Sequence, residues 1–181
     1  MTTTLKEILL GNNTLLTISK ACNNDAEEII HFLNQVGGET DFLTFGADQF
    51  HVSLNDELQM ISDCLISDKQ LMLVGKINNK IVAQLFLGRS NQERLSHIGD
   101  IGLSVGKAYW GHSIGTHMLS LAIDWAKTGD LSKLQLQVRT DNHMAIQLYK
   151  KFGFNIEGTI TQSLKVNQMY FDDYVMGLSI L

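Results

Sequence analysis

The chain has 181 residues, of which 44% are hydrophobic and 18% are charged, and its formal net charge is −5. This composition excludes a disordered chain, and at ~150 residues per domain the length predicts a single domain over residues 1–181. The negative charge argues against a general nucleic-acid binder. No apolar run approaches the ~18 residues that a membrane-spanning helix needs, so neither nucleic acid nor a membrane is predicted as a partner. The first residues lack the pattern of a signal peptide, and Cys22 and Cys64 lack metal or disulfide spacing, which together favour a cytoplasmic location.

Strands and helices alternate in the predicted order of elements. Runs of apolar and β-branched residues predict seven strands, at Leu15–Lys20, Leu71–Val74, Ile81–Leu87, Ile98–Val105, Leu134–Val138, Phe154–Leu164 and Met169–Ile180. Helical spacing predicts four helices: one capped by Asn24 and ended by Gly37-Gly38, one starting at Ser53, one from Ile114 to near Gly129, and one over Met144–Phe152. Tight turns are predicted at Asn78-Asn79 and around Asn167. The order β-α-α-β-β-β-α-β-α-β-β is typical of one mixed α/β domain.

The first motif that carries chemistry is a strand, a turn and a helix. The strand ends at Val105, and the segment Trp110-Gly-His-Ser-Ile-Gly115 follows and opens the third helix. Small residues in such a turn let a ligand approach the backbone, and the unpaired N–H groups of a helix start favour phosphate. A plain connection between strand and helix would look the same. The lysine-serine pair of a nucleoside triphosphatase is missing, and the turn comes too late in the chain for a dinucleotide-binding unit.

The second motif is Asn142-His-Met-Ala-Ile-Gln-Leu-Tyr149-Lys-Lys-Phe-Gly-Phe154. Its apolar residues are three or four apart and share one helix face. Periodicity alone would place Tyr149 in the core.

The two motifs together resemble the GCN5-related N-acetyltransferase (GNAT) superfamily. The second motif is the specific part, and the turn at residues 109–115 supports it at the expected distance upstream. The resemblance implies a single-domain α/β fold in which about four helices flank a twisted mixed sheet of about seven strands. The sheet would be splayed between two parallel strands, Ile98–Val105 and Leu134–Val138, with acetyl-CoA as cosubstrate in the gap.

The resemblance also implies roles for individual residues. Backbone groups of Leu103 and Val105 would pair with the pantetheine arm, the N–H groups from Gly111 to Thr116 would hold the pyrophosphate, and Asn142 would bond the pantetheine. The implied cofactor-binding set is Leu103, Ser104, Val105, Gly111, His112, Ser113, Ile114, Gly115, Thr116, Asn142 and Tyr149. Further cations that could meet the phosphates are Lys107, Arg139, Lys150 and Lys151. The sequence departs from the family pattern at Trp110, where Arg or Gln is usual, and at Ser113, where Gly is usual.

Acyl transfer to an amine needs an oxyanion donor, a donor to the leaving thiolate and a route for the ammonium proton. The resemblance implies that the Leu103 N–H serves the oxyanion and that Tyr149 lies beside the sulfur. Asp100 on the cleft strand is the first candidate base, and Glu39, Asp172 and Asp173 are others; a chain of water molecules is the alternative. The six histidines show no zinc spacing, so no metal is predicted.

The acceptor is predicted from charge. Residues 1–75 hold 11 acidic and three basic residues, whereas the remainder is basic and contains the cofactor turn. Glu39 and Phe42 belong to the acidic part and would contact a primary amine, either a small cationic amine or a peptide or protein N-terminus. The alternatives are a non-catalytic acyl-CoA sensor or interaction module of the same fold, and an enzyme for a longer acyl chain. Members of the family are often homodimers, so a homodimer is a further expectation from the resemblance.

Overall fold

The computed structural model describes residues 4–11 and 13–180, which form eight strands and four α-helices. In chain order these are β1 (Thr4–Leu9), β2 (Leu15–Lys20), α1 (Ala26–Glu39), α2 (Leu54–Ile66), β3 (Leu71–Ile77), β4 (Lys80–Arg89), β5 (Ile98–Val105), α3 (Ile114–Thr128), β6 (Lys133–Arg139), α4 (His143–Lys151), β7 (Asn155–Val166) and β8 (Met169–Ser179). No helix in this described part of the chain is long and apolar enough to cross a bilayer.

The strands form one sheet in the order β1-β2-β3-β4-β5-β6-β8-β7, and every neighbouring pair is antiparallel except β5 and β6. The predicted mixed α/β architecture is confirmed, with one more strand than the sequence indicated. The additional strand is β1, which lies at the sheet edge and whose apolar Leu5 and Leu9 are exposed. An edge strand with exposed apolar residues lacks the alternation that marks a half-buried strand, so its sequence gave no signal.

The sheet splits between its two parallel strands, as the resemblance implied. Strands β5 and β6 pair over only three positions, Ile98 with Lys133, Gly99 with Leu134 and Asp100 with Gln135. Beyond Asp100, β5 continues beside β4, and β6 continues beside β8 as far as Arg139. The two strands therefore diverge over residues 101–105 and leave backbone groups without a neighbouring strand.

Two hydrophobic cores hold the sheet, one on each face. Along β3, Leu71 and Leu73 belong to the core that contains α3, while Met72 and Val74 belong to the core that contains α1 and α2. Alternate residues point to opposite faces, so a strand covered on both sides is apolar throughout, and each such buried side chain contributes roughly 1.5–3 kcal/mol. The central strands thus give the diverging β5 and β6 a rigid support.

The course of α1 corrects the sequence analysis at both ends. A 3-10 turn over Asn23–Asp25 precedes the helix, so the residue at the cap position is Asp25 and not the predicted Asn24. The helix also continues through Gly37 and Gly38 to Glu39. A Cβ on Gly37 would lie 2.5 Å from the carbonyl oxygen of Gly46, so the glycine is needed for close approach of residues 40–53, the α1–α2 loop, and does not end the helix. The predicted start of α2 is confirmed, because the Ser53 hydroxyl accepts from the Asp56 N–H at 3.2 Å.

Glu57 is an acid enclosed beside the core of α1 and α2. Its side chain is on α2, the residue is 1% exposed, and Oε1 has no hydrogen-bond partner among the described residues. Burial raises the pKa of its carboxyl group, because the charged form loses its hydration.

Replacing Glu57 with Gln is expected to stabilise the protein at neutral pH by about 1 kcal/mol, since the amide removes a buried charge. A raised folded-state pKa stabilises the fold below the unfolded pKa, near ~4.3, and that contribution is lost as the pH rises through the folded-state pKa. The gain should therefore be clear at pH 7.5 and small at pH 4. Urea unfolding of the variant, with the exposed Glu27→Gln as the control, measures it; equal gains at both pH values would contradict the assignment.

Candidate active site

The divergence of β5 and β6 opens a cavity of about 740 Å³. Four segments surround it: the end of β5, the turn into α3 and its first residues, the β6–α4 turn with α4, and the end of α1 with the α1–α2 loop. Its lining residues include twelve of the predicted ones, namely Phe42, Leu103, Ser104, Val105, Gly111, Ser113, Ile114, Gly115, Thr116, Asn142, Tyr149 and Lys151. Two motifs about 30 residues apart in sequence are thus brought to one cavity by the sheet.

The backbone of β5 presents hydrogen-bonding groups to this opening. The Gly106 N–H donates to the Val82 carbonyl at 2.9 Å, so Gly106 faces β4. In an antiparallel ladder alternate residues face opposite sides, so the N–H and C=O groups of Leu103 and Val105 face the gap. The indole Nε1 of Trp110 donates to the Val105 carbonyl at 2.7 Å. Leu103 therefore offers both its groups to a ligand, and Trp110, one of the departures from the family pattern, braces the end of β5.

The turn into α3 contains two residues in the left-handed region, Gly111 at φ +79° and Ser113 at φ +62°. Ser113 precedes α3, and no hydrogen bond from its side chain caps the helix. The first N–H groups of α3 have no partner within the helix and point toward its start, where the helix dipole favours an anion. The backbone at position 113 is in the left-handed region, which glycine adopts more readily than any other residue. This agrees with the family pattern of the resemblance, which has glycine at this position.

Replacing Ser113 with Gly is expected to raise the free energy of unfolding by about 0.5–1 kcal/mol. A left-handed residue with a Cβ costs roughly 1–2 kcal/mol, and the greater freedom of glycine in the unfolded chain takes back roughly 0.5–1 kcal/mol. For a chain of this size the gain corresponds to a rise in Tm of about 1–4 °C by calorimetry. Gly111→Ala, which forces a Cβ into the same region, should lower Tm; a fall in both variants would contradict this account.

Tyr149 lies on α4 and is 7% exposed, yet its side chain lines the cavity. Its ring packs against that of Phe154 with centroids 5.7 Å apart. Burial raises the pKa of its phenol to about 12, so the hydroxyl is protonated and can donate at neutral pH. The periodicity and the resemblance were both informative: the ring belongs to the core and also faces the cavity.

Asn142 caps α4 and lines the cavity. Its Oδ1 accepts from the Ala145 N–H at 3.2 Å, which fixes the amide and leaves Nδ2 as the donor of this side chain. The helix therefore begins at His143, one residue before the predicted start. Capping and ligand binding by one side chain are compatible here because they use different atoms.

Asp100, His112 and Glu39 are among the predicted site residues that do not line the cavity. Asp100 is exposed, and its Oδ1 accepts from the Gln135 amide at 2.7 Å where β5 and β6 last pair. The exposed His112 ring contacts the Trp110 carbonyl at 2.9 Å. Glu39 accepts from the Lys107 backbone N–H at 2.7 Å and from the side chain of Gln35. Glu39 thus connects α1 to the turn after β5.

Asp141 is the one carboxylate among the described residues that line the cavity. Its two oxygens accept from Nε and Nη2 of Arg139, at 3.0 and 2.7 Å, and these hydrogen bonds lower its pKa. The other candidate bases, Asp172 and Asp173, lie outside the lining and accept from the Gln162 N–H and the Ser163 hydroxyl. In the described part of the chain, no three acids, histidines or cysteines gather as a metal site would need.

Several cavity residues lie outside the predicted set, and one of the candidate cations is buried in an ion pair. Val36, Thr40 and Leu43 also line the cavity and belong to neither motif, and Tyr109, the first residue of the predicted turn, lines it as well. Arg139, a candidate for the phosphates, is 5% exposed and bound to Asp141, whereas Lys151 does line the cavity. The spacing Arg-x-Asp at the end of a strand was the available signal for the pair.

A splayed mixed sheet with a helix start and a buried tyrosine at the opening is the architecture of an acetyltransferase domain, and the comparisons agree. A model of the Acetyltransferase (GNAT) family matches residues 40–154. The chain therefore belongs to the GNAT family.

Known relatives extend this comparison. L-amino acid N-acetyltransferase AaaT of Escherichia coli is 31% identical over 109 residues, which are 58% of this chain and 65% of AaaT. Spermidine N(1)-acetyltransferase of the same species is 34% identical over 67 residues, which are 36% of each chain. The chain thus matches less than two thirds of each of these relatives. The structure of a GNAT-family acetyltransferase from Streptococcus pneumoniae has a TM-score of 0.88 at 35% identity and covers 92% of this chain and 99% of its own. The structure of yncA from Salmonella typhimurium with its cofactor acetyl-CoA has a TM-score of 0.81 at 19% identity, covers 92% and 94% of the two chains, and shares the fold.

Proposed function

We propose that this protein transfers an acetyl group from acetyl-CoA to a primary amine in a ternary complex. The observation that carries the proposal is the placement of Tyr149 on the same cavity as the backbone of Leu103, with the start of α3 beside them. Family membership supports it, as do relatives named as N-acetyltransferases and a structural neighbour that holds acetyl-CoA.

The residues present fit acetyl-CoA. The N–H and C=O groups of Leu103 and the N–H of Val105 face the open side of β5, where no strand pairs with them. They could form hydrogen bonds with the amide groups of a pantetheine arm. The N–H groups at the start of α3 suit the pyrophosphate, and Lys151 supplies a cation at the cavity. Asn142 would donate to the pantetheine through Nδ2.

The reaction requires a neutral amine, because an alkylammonium with a pKa near ~10.4 has no free electron pair. The nitrogen attacks the thioester carbon, a C–N bond forms, and the oxyanion accepts from the Leu103 N–H. The C–S bond then breaks. One amine proton passes to sulfur, and the ammonium proton leaves to solvent.

Tyr149 acts in this step as a hydrogen-bond donor to the thiolate. Its phenol pKa of about 12 exceeds the pKa of a thiol, near ~8.5, so complete proton transfer from the phenol would be unfavourable. The Tyr149 hydroxyl therefore stabilises the thiolate by a hydrogen bond, and it passes a proton to sulfur only as it accepts the proton that the amine gives up.

We propose that water molecules carry the ammonium proton away. Asp141 is bound to Arg139 with a lowered pKa, which makes it a weak base. Asp100 would act only through intervening water, because its carboxylate lies outside the lining and is bonded to Gln135. Glu39 would shape the acceptor side and takes no proton in this proposal.

The acceptor is proposed to be a small cationic amine or a peptide or protein N-terminus that rests on an apolar wall. That wall consists of Val36, Phe42, Leu43 and Tyr109. A thiol-release assay with acetyl-CoA across polyamines, amino acids, aminosugars and peptides tests the class. Mass analysis of the product then tests whether acetyl, and not a longer acyl group, is transferred.

A non-catalytic acyl-CoA-binding module of the same fold is the second candidate, favoured by the lack of an uncommitted carboxylate among the described lining residues. Tight acetyl-CoA binding by calorimetry with no thiol release on any amine would support it. A cytoplasmic location, a homodimer, and the lack of nucleic-acid and membrane partners are further parts of the proposal, and light scattering measures the oligomeric state.

A further inference from the structure

Arg139, the last residue of β6, connects three segments of the chain around one guanidinium group. Its Nε and Nη2 donate to the Asp141 carboxylate in the β6–α4 turn, and its Nη1 donates to the Asp41 backbone carbonyl at 2.8 Å in the α1–α2 loop. The group also lies 3.6 Å from the ring centroid of Phe171 on β8 and 5.0 Å from that of Phe42 in the loop.

The contacts use the properties that distinguish arginine from lysine. A planar guanidinium can bind a carboxylate through two nitrogens and present its face to aromatic rings at the same time. All three nitrogens of Arg139 already donate within the protein, and the residue is 5% exposed. The arginine is therefore committed to internal contacts and is a poor candidate for direct binding of a phosphate or an acceptor carboxylate.

Two of the contacted residues, Phe42 and Asp141, line the cavity from opposite segments. The α1–α2 loop contains turns and bends but no helix or strand, so specific side-chain contacts must fix its position. The Asn34 side chain bonds the Phe50 backbone near the far end of the loop, and Arg139 bonds the near end, beside Phe42.

We propose that Arg139 is a positioning residue for the acceptor: it fixes Phe42 and the near end of the α1–α2 loop against the β6–α4 turn, and so sets the apolar wall that the amine contacts. This inference rests on the proposed function for its kinetic consequence. Its structural consequence, a loop held by Arg139, is independent of any turnover.

The chain offers a matched control in Arg89. Arg89 is also the last residue of its strand, its side chain is 7% exposed, and it pairs with an aspartate, Asp130. It is not among the described residues that line the cavity. Arg139→Met and Arg89→Met therefore each remove a buried, paired guanidinium at the end of a strand, and only the first should affect the cavity.

The experiment combines steady-state kinetics on the best amine of the screen with hydrogen–deuterium exchange followed by mass spectrometry. Arg139→Met is expected to raise the KM for the amine about tenfold or more, with the KM for acetyl-CoA within about twofold of the wild type. The backbone amides of residues 40–53 should exchange faster in this variant than in the wild type. Their exchange rates should be unchanged in Arg89→Met. Arg139→Lys should recover part of the amine KM, because a lysine can reach Asp141 but cannot bind it through two nitrogens.

Phe171→Leu provides a second variant in case Arg139→Met does not fold, since it removes the ring under the guanidinium and keeps an apolar side chain. It should raise the amine KM and loop exchange in the same direction by a smaller factor. The proposal is overturned if loop exchange is unchanged in the Arg139 and Phe171 variants, or if Arg89→Met gives the same changes. An absence of amine turnover by the wild type would refute the proposed function instead, and exchange alone would then decide the role of Arg139.

Discussion

Replacing Tyr149 with Phe is expected to lower kcat about 10²-fold or more, while the KM for acetyl-CoA changes little. The change removes one hydroxyl group and keeps the ring that packs against Phe154. Since the phenol pKa of about 12 keeps this hydroxyl protonated, the wild type has a donor at the cavity over the whole working pH range. A single donor aimed at a developing charge typically contributes a factor of ~10²–10³ to kcat.

Tyr109→Phe is the matched control for kcat, because Tyr109 lines the cavity as part of the apolar wall and the change removes a hydroxyl but keeps the ring of that wall. Stopped-flow or coupled thiol release, with both substrates varied, separates kcat from the two KM values. A kcat within twofold of the wild type in Tyr149→Phe would remove this hydroxyl from the mechanism. An equal loss in Tyr109→Phe would show that the effect is not specific to the thiolate side. The high phenol pKa also predicts that ionisation of Tyr149 causes no loss of activity below about pH 11.

The sequence predicted those features that local physics determines. The two-asparagine turn at Asn78-Asn79 joins β3 and β4 with both residues at positive φ, and the turn around Asn167 joins β7 and β8 in the same way. Asparagine tolerates this conformation, so the turn can be predicted without any tertiary information. The buried strands and amphipathic helices can also be predicted from the sequence, because burial imposes a period on their apolar residues.

The features that were missed depend on contacts between distant segments. The glycine pair at Gly37 predicts a helix end, but the helix passes through it and the α1–α2 loop lies against it. The sequence makes Arg139 a candidate for the phosphates of CoA, whereas the structure gives it partners as far away in sequence as Asp41. A glycine or an arginine looks the same in sequence whether it faces solvent or another segment.

The acidic character of residues 1–75 also changes meaning in the structure. Asp25 and Glu57 are buried, and Glu39 is bonded to the Lys107 backbone. These three acids therefore contribute structure more than an acidic acceptor surface, and the apolar wall with Phe42 is the stronger guide to the acceptor. A count of charged residues in the sequence does not show which of them are exposed to solvent, because burial depends on the fold.

The second large expected effect is on stability, from Phe154→Ala. Phe154 follows α4, is 1% exposed and packs against the ring of Tyr149. Truncation of a buried phenylalanine costs about 3–5 kcal/mol, a large part of the ~5–15 kcal/mol that holds a domain together. For a chain of this size the fall in Tm should be about 6–20 °C.

Phe152→Ala, two residues earlier and only partly buried, is the control and should lose clearly less. Calorimetry gives both values, and kcat measured well below the lowered Tm adds a second readout. Because the Phe154 ring packs against that of Tyr149, its loss should also reduce kcat in molecules that remain folded, whereas Phe152→Ala should leave kcat near the wild-type value. A folded Phe154→Ala protein with full kcat would show that the tyrosine keeps its position without this neighbour, and the link between the core and the thiolate donor would then be wrong.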